Sequence, residues 1–364
     1  MEEKHRYTKK QFKAEFAKRI EETSIPSNLS DSERIKCYRE LFSFTELYIP
    51  EKLFRFRKCD LNSTVSFEQG TIPVCVASRF PDKYDSTVYY DFATLENRAK
   101  SVFSSIVPKF LSQVENNSPI IDRINPLVLN KARKLLNGSK SENEILEDLW
   151  AEFKSPLSDW KTIAKIQEQR TRSNTRAKIA CFSEIIKSKF MWDNYADGYK
   201  GFAVEYDFRK WFSLNPADRG IILLLPIIYT SKKMDATEMI DRLVGQIYLE
   251  FCKVPTTIKE GYAQNIPIDN SYFIKPYIYK DKKEYAREKE WRLLDLENSN
   301  NPDADKDFSE ISDGNCLMAI YYGPDMNTKY KAYLRKIAKQ KEIREYDVLL
   351  DTSSRKYDLK LVRL

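Results

Sequence analysis

The 364 residues carry 61 Lys+Arg against 54 Asp+Glu, a net charge of +7, with nine Gly, six Cys and one His; at roughly 150 residues per domain, that length makes about two domains or one large core with an insertion. No glycine sits in a G-x-G, G-x-S-x-G or G-K-[S/T] context, which excludes Rossmann and P-loop phosphate loops and the nucleophile elbow. The lone His5 removes Ser-His-Asp and Cys-His catalysis and a His-ligated zinc, while charges of mixed sign tolerate a polyanionic partner without demanding one.

Phe12, Phe16 and Ile20, spaced i, i+4, i+8 among lysines, predict a basic amphipathic helix over the first 22 residues. It packs on the body or serves as a nucleic-acid or membrane arm. Ser30 and Glu33 form a capping box that opens a second helix to about Leu47. β-Prone runs follow at Leu53 to Cys59 and Thr71 to Ser78. From about 92 to 172 the pattern turns helical, with Leu95, Val102, Ile106, a second capping box at Ser141 and Glu144, then Ile145, Leu149 and Trp150. This block reads as an all-helical insertion.

Strands resume at Arg176 to Ser183, Gly201 to Asp207 and Ile221 to Tyr229. Met239, Leu243, Ile247 and Phe251 predict a helix over Asp235 to Lys253. Further strands are expected at Glu290 to Leu296, Cys316 to Tyr322 and Asp358 to Val362, with a basic helix at Asn327 to Lys341. Strands separated by unequal helical blocks favour an α+β fold over a doubly wound sheet. The expected organisation is an N-terminal helical pair, 1–48, and an α+β core, 49–364, carrying the insertion.

Cys37, Cys59, Cys75, Cys181, Cys252 and Cys316 are spread singly without C-x-x-C or a signal peptide, which predicts free thiols in a reducing cytoplasm. The longest apolar run, Ile221 to Tyr229, is broken by Pro226 and is too short for a bilayer. A cytoplasmic chain with no membrane partner is expected.

Six motifs occur in order: L-F-R-F-R at 53–57, F-P-D-K-Y-D at 80–85, C-F-S at 181–183, M-W-D-N-Y-A-D-G-Y-K-G-F-A-V-E-Y-D at 191–207, R-E-K-E-W-R at 287–292 and I-Y-Y-G-P at 320–324. Over about residues 50 to 325 they resemble a widespread bacterial domain family of unknown function, often found near phage-defence genes. Its typical form reads L-Y-[KR]-Y-R, F-N-D-P-F-D, C-F-S, M-W-x-H-Y-A-x-x-x-x-G-F and E-x-E-W-R. Asn194 stands where that family usually has His. The resemblance implies an antiphage-defence effector or toxin, with an antitoxin or another defence protein as partner.

A more distant resemblance is to ADP-ribosyltransferases of the Arg-Ser-Glu class, which carry an aromatic-flanked Arg on an early strand, a Ser ending a core strand and a late E-x-E. It implies a mixed, split β core and NAD as substrate, with no metal. Arg57 or Arg55 would hold a phosphate or ribose and Ser183 would orient the carboxylate. Glu290 would stabilise the transition state and Glu288 would face the acceptor, a nucleic acid or a protein. Asp82, Asp85 and Tyr195 complete the expected NAD-binding set, and Tyr272, Phe273, Tyr277, Tyr279 and Tyr285 are stacking candidates.

Other readings of these residues stay open. Arg55 and Arg57 would serve equally in an ion pair with Asp82, Asp85 or Glu290, and K-K-E-Y-A-R-E-K-E would serve as a charged edge strand. Met191, Trp192, Tyr195 and Phe202 suit a packing cluster. Asp82, Asp85, Glu205, Asp207, Glu288 and Glu290 would suit a Mg²⁺-dependent nuclease. A sensor or nucleic-acid-binding module would use the two basic helices.

Overall fold

A computed structural model describes residues 7–117, 126–157, 160–243, 267, 269–296 and 306–364. The fold is α+β, as the unequal helical blocks predict. α1 (Lys9–Glu22) starts at a Thr8–Gln11 capping box and buries Phe12, Phe16 and Ile20. α2 (Asp31–Glu46) opens with the expected Ser30–Glu33 box and buries Leu41, Phe42 and Thr45. The Phe12 ring stacks on Tyr48 at 4.2 Å and lies 6.3 Å from Trp291, which fixes α1 onto the body. The packing reading of this helix's apolar face therefore holds.

β1 (Leu53–Arg57), α3 (Leu61–Gln69) and β2 (Thr71–Cys75) precede four helices: α4 (Phe92–Glu115), α5 (Pro126–Leu136), α6 (Glu142–Leu157) and α7 (Trp160–Arg172). The described residues of this stretch are helical, and Leu111, Val114, Ala132, Ile145, Leu149 and Trp150 form a small core of their own. β3 (Lys178–Ser183), α8 (Lys189–Tyr195), β4 (Phe202–Tyr206), α9 (Phe208–Leu214) and β5 (Ile222–Pro226) follow.

The run expected as one strand from 221 to 229 divides. β5 ends at Pro226, whose missing N–H cannot extend a ladder, and β6 (Ile228–Thr230) pairs in parallel with β7 (Tyr279–Asp281) in a separate sheet. Residues 237–243 are helical, and the remainder of the expected 235–253 helix lies outside the described residues, as does Cys252. β8 (Glu290–Asp295), β9 (Phe308–Ser312), β10 (Leu317–Tyr322), α10 (Thr328–Gln340), β11 (Arg344–Leu350) and β12 (Leu359–Arg363) complete the chain.

Ten strands form one sheet along the order β12-β11-β10-β4-β1-β3-β2-β9, with β8 on the second edge of β3 and β5 beyond β8. Pairing is antiparallel except between β10 and β11. β3 is the branch point. One edge pairs with β8 from Lys178 opposite Asp295 to Ser183 opposite Glu290. The other is shared, with Ser183 opposite Phe54 of β1 and Ile179 opposite Cys75 of β2. Between those two bridges the sheet forks. Cys37, Cys59, Cys75, Cys181 and Cys316 are free thiols, and among the described residues no helix is long and apolar enough to cross a membrane.

Candidate active site

Strand register determines which side chains meet. Ser183 faces Glu290 and Cys181 faces Arg292 across β3 and β8, and Phe54 lies opposite Ser183. Because neighbours along a strand point to opposite faces, Phe54, Phe56, Cys181, Ser183, Glu290 and Arg292 share one side of the sheet. Arg55, Arg57, Phe182 and Trp291 take the other. Above the first side, α8, the 80–85 loop, β7 and the turns after it enclose a cleft of about 640 Å³. Phe80, Phe190, Tyr195 and Tyr285 line its walls, and Cys181, Lys280, Glu288, Glu290 and Arg292 line its interior.

The base is a buried network of alternating charge. Glu290 is 5% exposed, Glu288 2% and Arg292 0%. The Lys280 ammonium bridges both glutamates, 2.7 Å from Glu288 Oε2 and 2.9 Å from Glu290 Oε2. Arg292 donates from Nε to Glu290 Oε1 at 2.7 Å. Its two terminal nitrogens fork onto Asp85 at 2.9 and 2.5 Å, and Nη1 also donates to the Tyr277 carbonyl at 2.7 Å. The Tyr195 hydroxyl donates to Glu288 Oε1 at 2.5 Å. Every charge faces an opposite one, the condition under which ions remain charged in an interior.

Local backbone explains how both glutamates reach Lys280. Sequence spacing predicts that they share a strand face at period two, yet Glu288 ends a helical turn, Ala286–Glu288, and only Glu290 lies in β8. Lys289 between them adopts φ +46°, in the left-handed region. That reversal turns both carboxylates inward. Ser183 fastens the turn, its hydroxyl donating to the Glu288 carbonyl at 2.6 Å and accepting from the Ile185 N–H at 3.1 Å. The Glu290 N–H donates to the Tyr229 phenol oxygen at 2.8 Å.

The two carboxylates titrate in opposite directions. Burial raises the Glu288 carboxyl above the ordinary range, and the nearby Glu290 charge adds to that rise against the pull of Lys280. Burial also opposes ionisation of Glu290, but the charges of Arg292 and Lys280 outweigh it and hold that carboxyl far below the usual value. For Lys280, burial is likewise overcome by Glu290 and Glu288, so its ammonium is held more firmly than a free lysine's. The Tyr195 phenol is pushed up by burial and then by Glu288, and remains a proton donor.

The expected residues separate into groups. Glu288, Glu290, Asp85 and Tyr195 converge in the network, with Ser183 beneath it. Asp82 lines the cleft but spends its carboxylate on the Tyr84 N–H, 2.8 Å away. Arg55 borders the cleft where β1 and β2 part, yet its guanidinium lies over Phe182 at 5.7 Å, with Nη1 buried and unpaired. Arg57 shares that reverse face and is not among the lining residues. The ion pair to Asp85 and Glu290 entertained for Arg55 and Arg57 belongs to Arg292 instead, because β8 alternation directs Arg292 with Glu290 whereas β1 alternation directs Arg55 and Arg57 away.

Arg292 and Lys280 are the residues that sequence reasoning missed. A usable signal existed for Arg292, which closes the R-E-K-E-W-R motif as Asp85 closes F-P-D-K-Y-D. Lys280 gave none. Of the stacking candidates, Tyr285 lines the cleft, Tyr272 and Phe273 lie in a helical turn, and Tyr277 is buried with its hydroxyl on the Thr171 carbonyl at 2.6 Å. Met191 and Trp192 pack with Phe54 and Phe56, whereas Phe202 joins the core on the opposite side. Asn194 is at the cleft, donating to the Phe190 carbonyl at 2.9 Å. Of the six carboxylates considered as metal ligands, Asp82, Asp85, Glu288 and Glu290 line the cleft and the other two lie apart from it. Glu205 lies on β4 with Tyr321 and Arg344, and Asp207 caps α9.

Comparison of the chain with protein-family models, with curated proteins and with solved structures finds no match in any of the three.

Proposed function

We propose that the chain cleaves the nicotinamide–ribose bond of NAD and passes ADP-ribose to an acceptor or to water, with Glu290 and Glu288 as the reacting carboxylates. One observation carries the reading: two buried carboxylates bridged by Lys280 face one cleft, and only Glu290 is also paired with Arg292, an asymmetry that separates a firmly charged group from one freer to handle a proton. Glu290, ionised, would accept a hydrogen bond from a ribose hydroxyl and stabilise the oxocarbenium-like transition state. Glu288, with its higher affinity for a proton, would take the one the acceptor loses. The aromatic walls suit a planar nicotinamide, and Arg292, Lys280, Asp85 and Ser183 would position the two glutamates.

The ion pairs favour this chemistry over a metal-dependent nuclease. Each carboxylate oxygen of Asp85, Glu288 and Glu290 is already bonded to Lys280, Arg292 or Tyr195, so a Mg²⁺ ion would have to displace a resident cation, whereas a ribose hydroxyl can add to a remaining lone pair. Resemblance to the phage-defence family adds a biological setting, in which depletion of NAD or modification of an essential target halts the infected cell.

The test is incubation of the purified chain with NAD, alone and with nucleic acid or lysate, following nicotinamide release. Wild-type protein is expected to release nicotinamide, and folded Glu288→Gln and Glu290→Gln variants to lose at least 100-fold. No release under any condition, or full release from Glu290→Gln, overturns the reading. A Mg²⁺-dependent loss of DNA or RNA would establish the nuclease instead.

A further inference from the structure

Four cations line the cleft: Arg55, Lys280, Arg287 and Arg292. Two are occupied by the site's own carboxylates, Lys280 bridging Glu288 and Glu290, and Arg292 dividing its donors among Glu290, Asp85 and the Tyr277 carbonyl. Arg55 is turned toward Phe182, with Nη1 buried. Arg287 is the remaining one. It is exposed, and among the described residues no carboxylate lies within ion-pair distance of it.

The position of Arg287 is fixed without an ion pair. It lies in the Ala286–Glu288 turn, one residue before Glu288, and its guanidinium carbon stands 3.7 Å from the centroid of the Phe190 ring on α8, itself a wall of the cleft. At that separation the guanidinium meets the ring with its face. Its N–H donors lie in the guanidinium plane and stay free for an acceptor. Held on the ring, the side chain has already lost much of the rotamer freedom that a loose surface arginine would lose on binding a ligand.

Charge is divided across the cleft. In its interior three carboxylates, Asp85, Glu288 and Glu290, face two cations, Lys280 and Arg292, so an anionic ligand group meets no surplus positive charge there. The exposed rim offers Arg287. Of the other lining carboxylates, Asp82 accepts from the Tyr84 N–H, and the exposed Glu284 makes no ion pair with Arg287 among the described residues. A ligand with a cationic ring at one end and a phosphate group next to it matches this division, whereas a nucleoside leaves Arg287 without an acceptor.

The geometry points to Arg287 as the residue that binds the diphosphate of a nucleotide, through N–H···O bonds from a guanidinium that Phe190 holds ready. Its assignment to NAD rests on the reading above, in which the nicotinamide end lies at Glu290. The same contact makes the cleft selective for a nucleotide over the corresponding nucleoside.

The experiment measures binding of ADP, adenosine and inorganic pyrophosphate to the full chain by titration calorimetry, in the absence of NAD. Wild-type protein should bind ADP at least about 10-fold more tightly than adenosine or pyrophosphate. R287Q, checked for an unchanged thermal midpoint, should weaken ADP binding roughly 10- to 100-fold and leave adenosine binding within about 2-fold. R287K keeps the charge without the planar fork and should recover only part of the loss. K283Q removes an exposed cation that does not line the cleft and should leave the ratio of ADP to adenosine affinity as it is. No binding of ADP, equal affinity for ADP and adenosine, pyrophosphate bound as tightly as ADP, an unchanged ratio in R287Q, or the same loss in K283Q overturns the proposal. Arg287-dependent binding of ADP by a chain that releases no nicotinamide would support this site while overturning the NAD reading, so the two failures are distinct.

Discussion

At the scale of single residues, the site is governed by the cost of burying charge. Arg292 has no exposed surface and satisfies Asp85, Glu290 and the Tyr277 carbonyl together. Arg292→Leu strands two carboxylates and is expected to cost about 3–5 kcal/mol in urea unfolding. The pH dependence follows from sign. Glu290 binds its proton less well folded than unfolded, so its contribution is present above the unfolded value near ~4.3 and is lost as pH falls through the depressed folded one. Glu288 is raised, so its protonated form is the one that folding favours, and that contribution disappears as pH rises through its folded value. Urea unfolding at pH 3 and pH 7 should therefore show a pH-dependent loss in wild type that shrinks in Glu290→Gln. For activity, kcat/KM should fall on the acid side at an apparent pKa above that of an ordinary glutamate, and Glu288→Gln should remove that limb along with most of the rate.

At the scale of elements, small devices hold large consequences. The Ser183 hydroxyl ties the end of β3 to the turn that inverts the chain at Lys289. Ser183→Ala is expected to cost about 1–2 kcal/mol by leaving the Glu288 carbonyl short of a donor, and to lower kcat more than it raises KM. Burst-free steady-state kinetics with thermal melting separates the two effects. α7 ends at Arg172, whose guanidinium donates to the Lys83 carbonyl at 2.9 Å and the Asp82 carbonyl at 3.4 Å. The helical insertion thus braces the loop that delivers Asp85. Arg172→Ala should raise KM for NAD several-fold while leaving the global unfolding midpoint within about 0.5 kcal/mol of wild type, measured by kinetics and denaturation on the same preparation.

At the scale of the whole molecule, the forked sheet separates two environments. One face packs Phe182, Trp291 and Phe208 beneath the N-terminal helices, and the other supports the cleft. Phe12→Ala removes a ring that touches both Tyr48 and Trp291. It should cost about 3–5 kcal/mol of stability, as deletion of a buried aromatic does, and loosen α1 next to β8. Hydrogen exchange should report that loosening at the 290–292 amides before global unfolding.

Local chemistry specified much of this protein. Capping boxes at Ser30 and Ser141 and the i, i+4 spacing in α1 set their helices without help from distant residues, and apolar runs set β3, β4 and β8. Motif resemblance, rather than local chemistry, marked Glu288, Glu290, Asp85 and Tyr195 as candidates. Tertiary structure decided the rest. β9, short and half-exposed at a sheet edge, owes its form to the β2 strand it pairs with. Arg55 and Arg57 carry the same guanidinium as Arg292, and only the register of β1 against β3 and of β3 against β8 determines which one meets Glu290. Lys280 sits on a three-residue strand that exists because β6 runs parallel to it, a non-local pairing with no periodicity of its own. Nine glycines and one histidine excluded whole classes of chemistry at the outset; the positive arrangement of two carboxylates, one lysine and one arginine became visible only when residues more than two hundred positions apart, such as Asp85 and Arg292, were brought into hydrogen-bond distance.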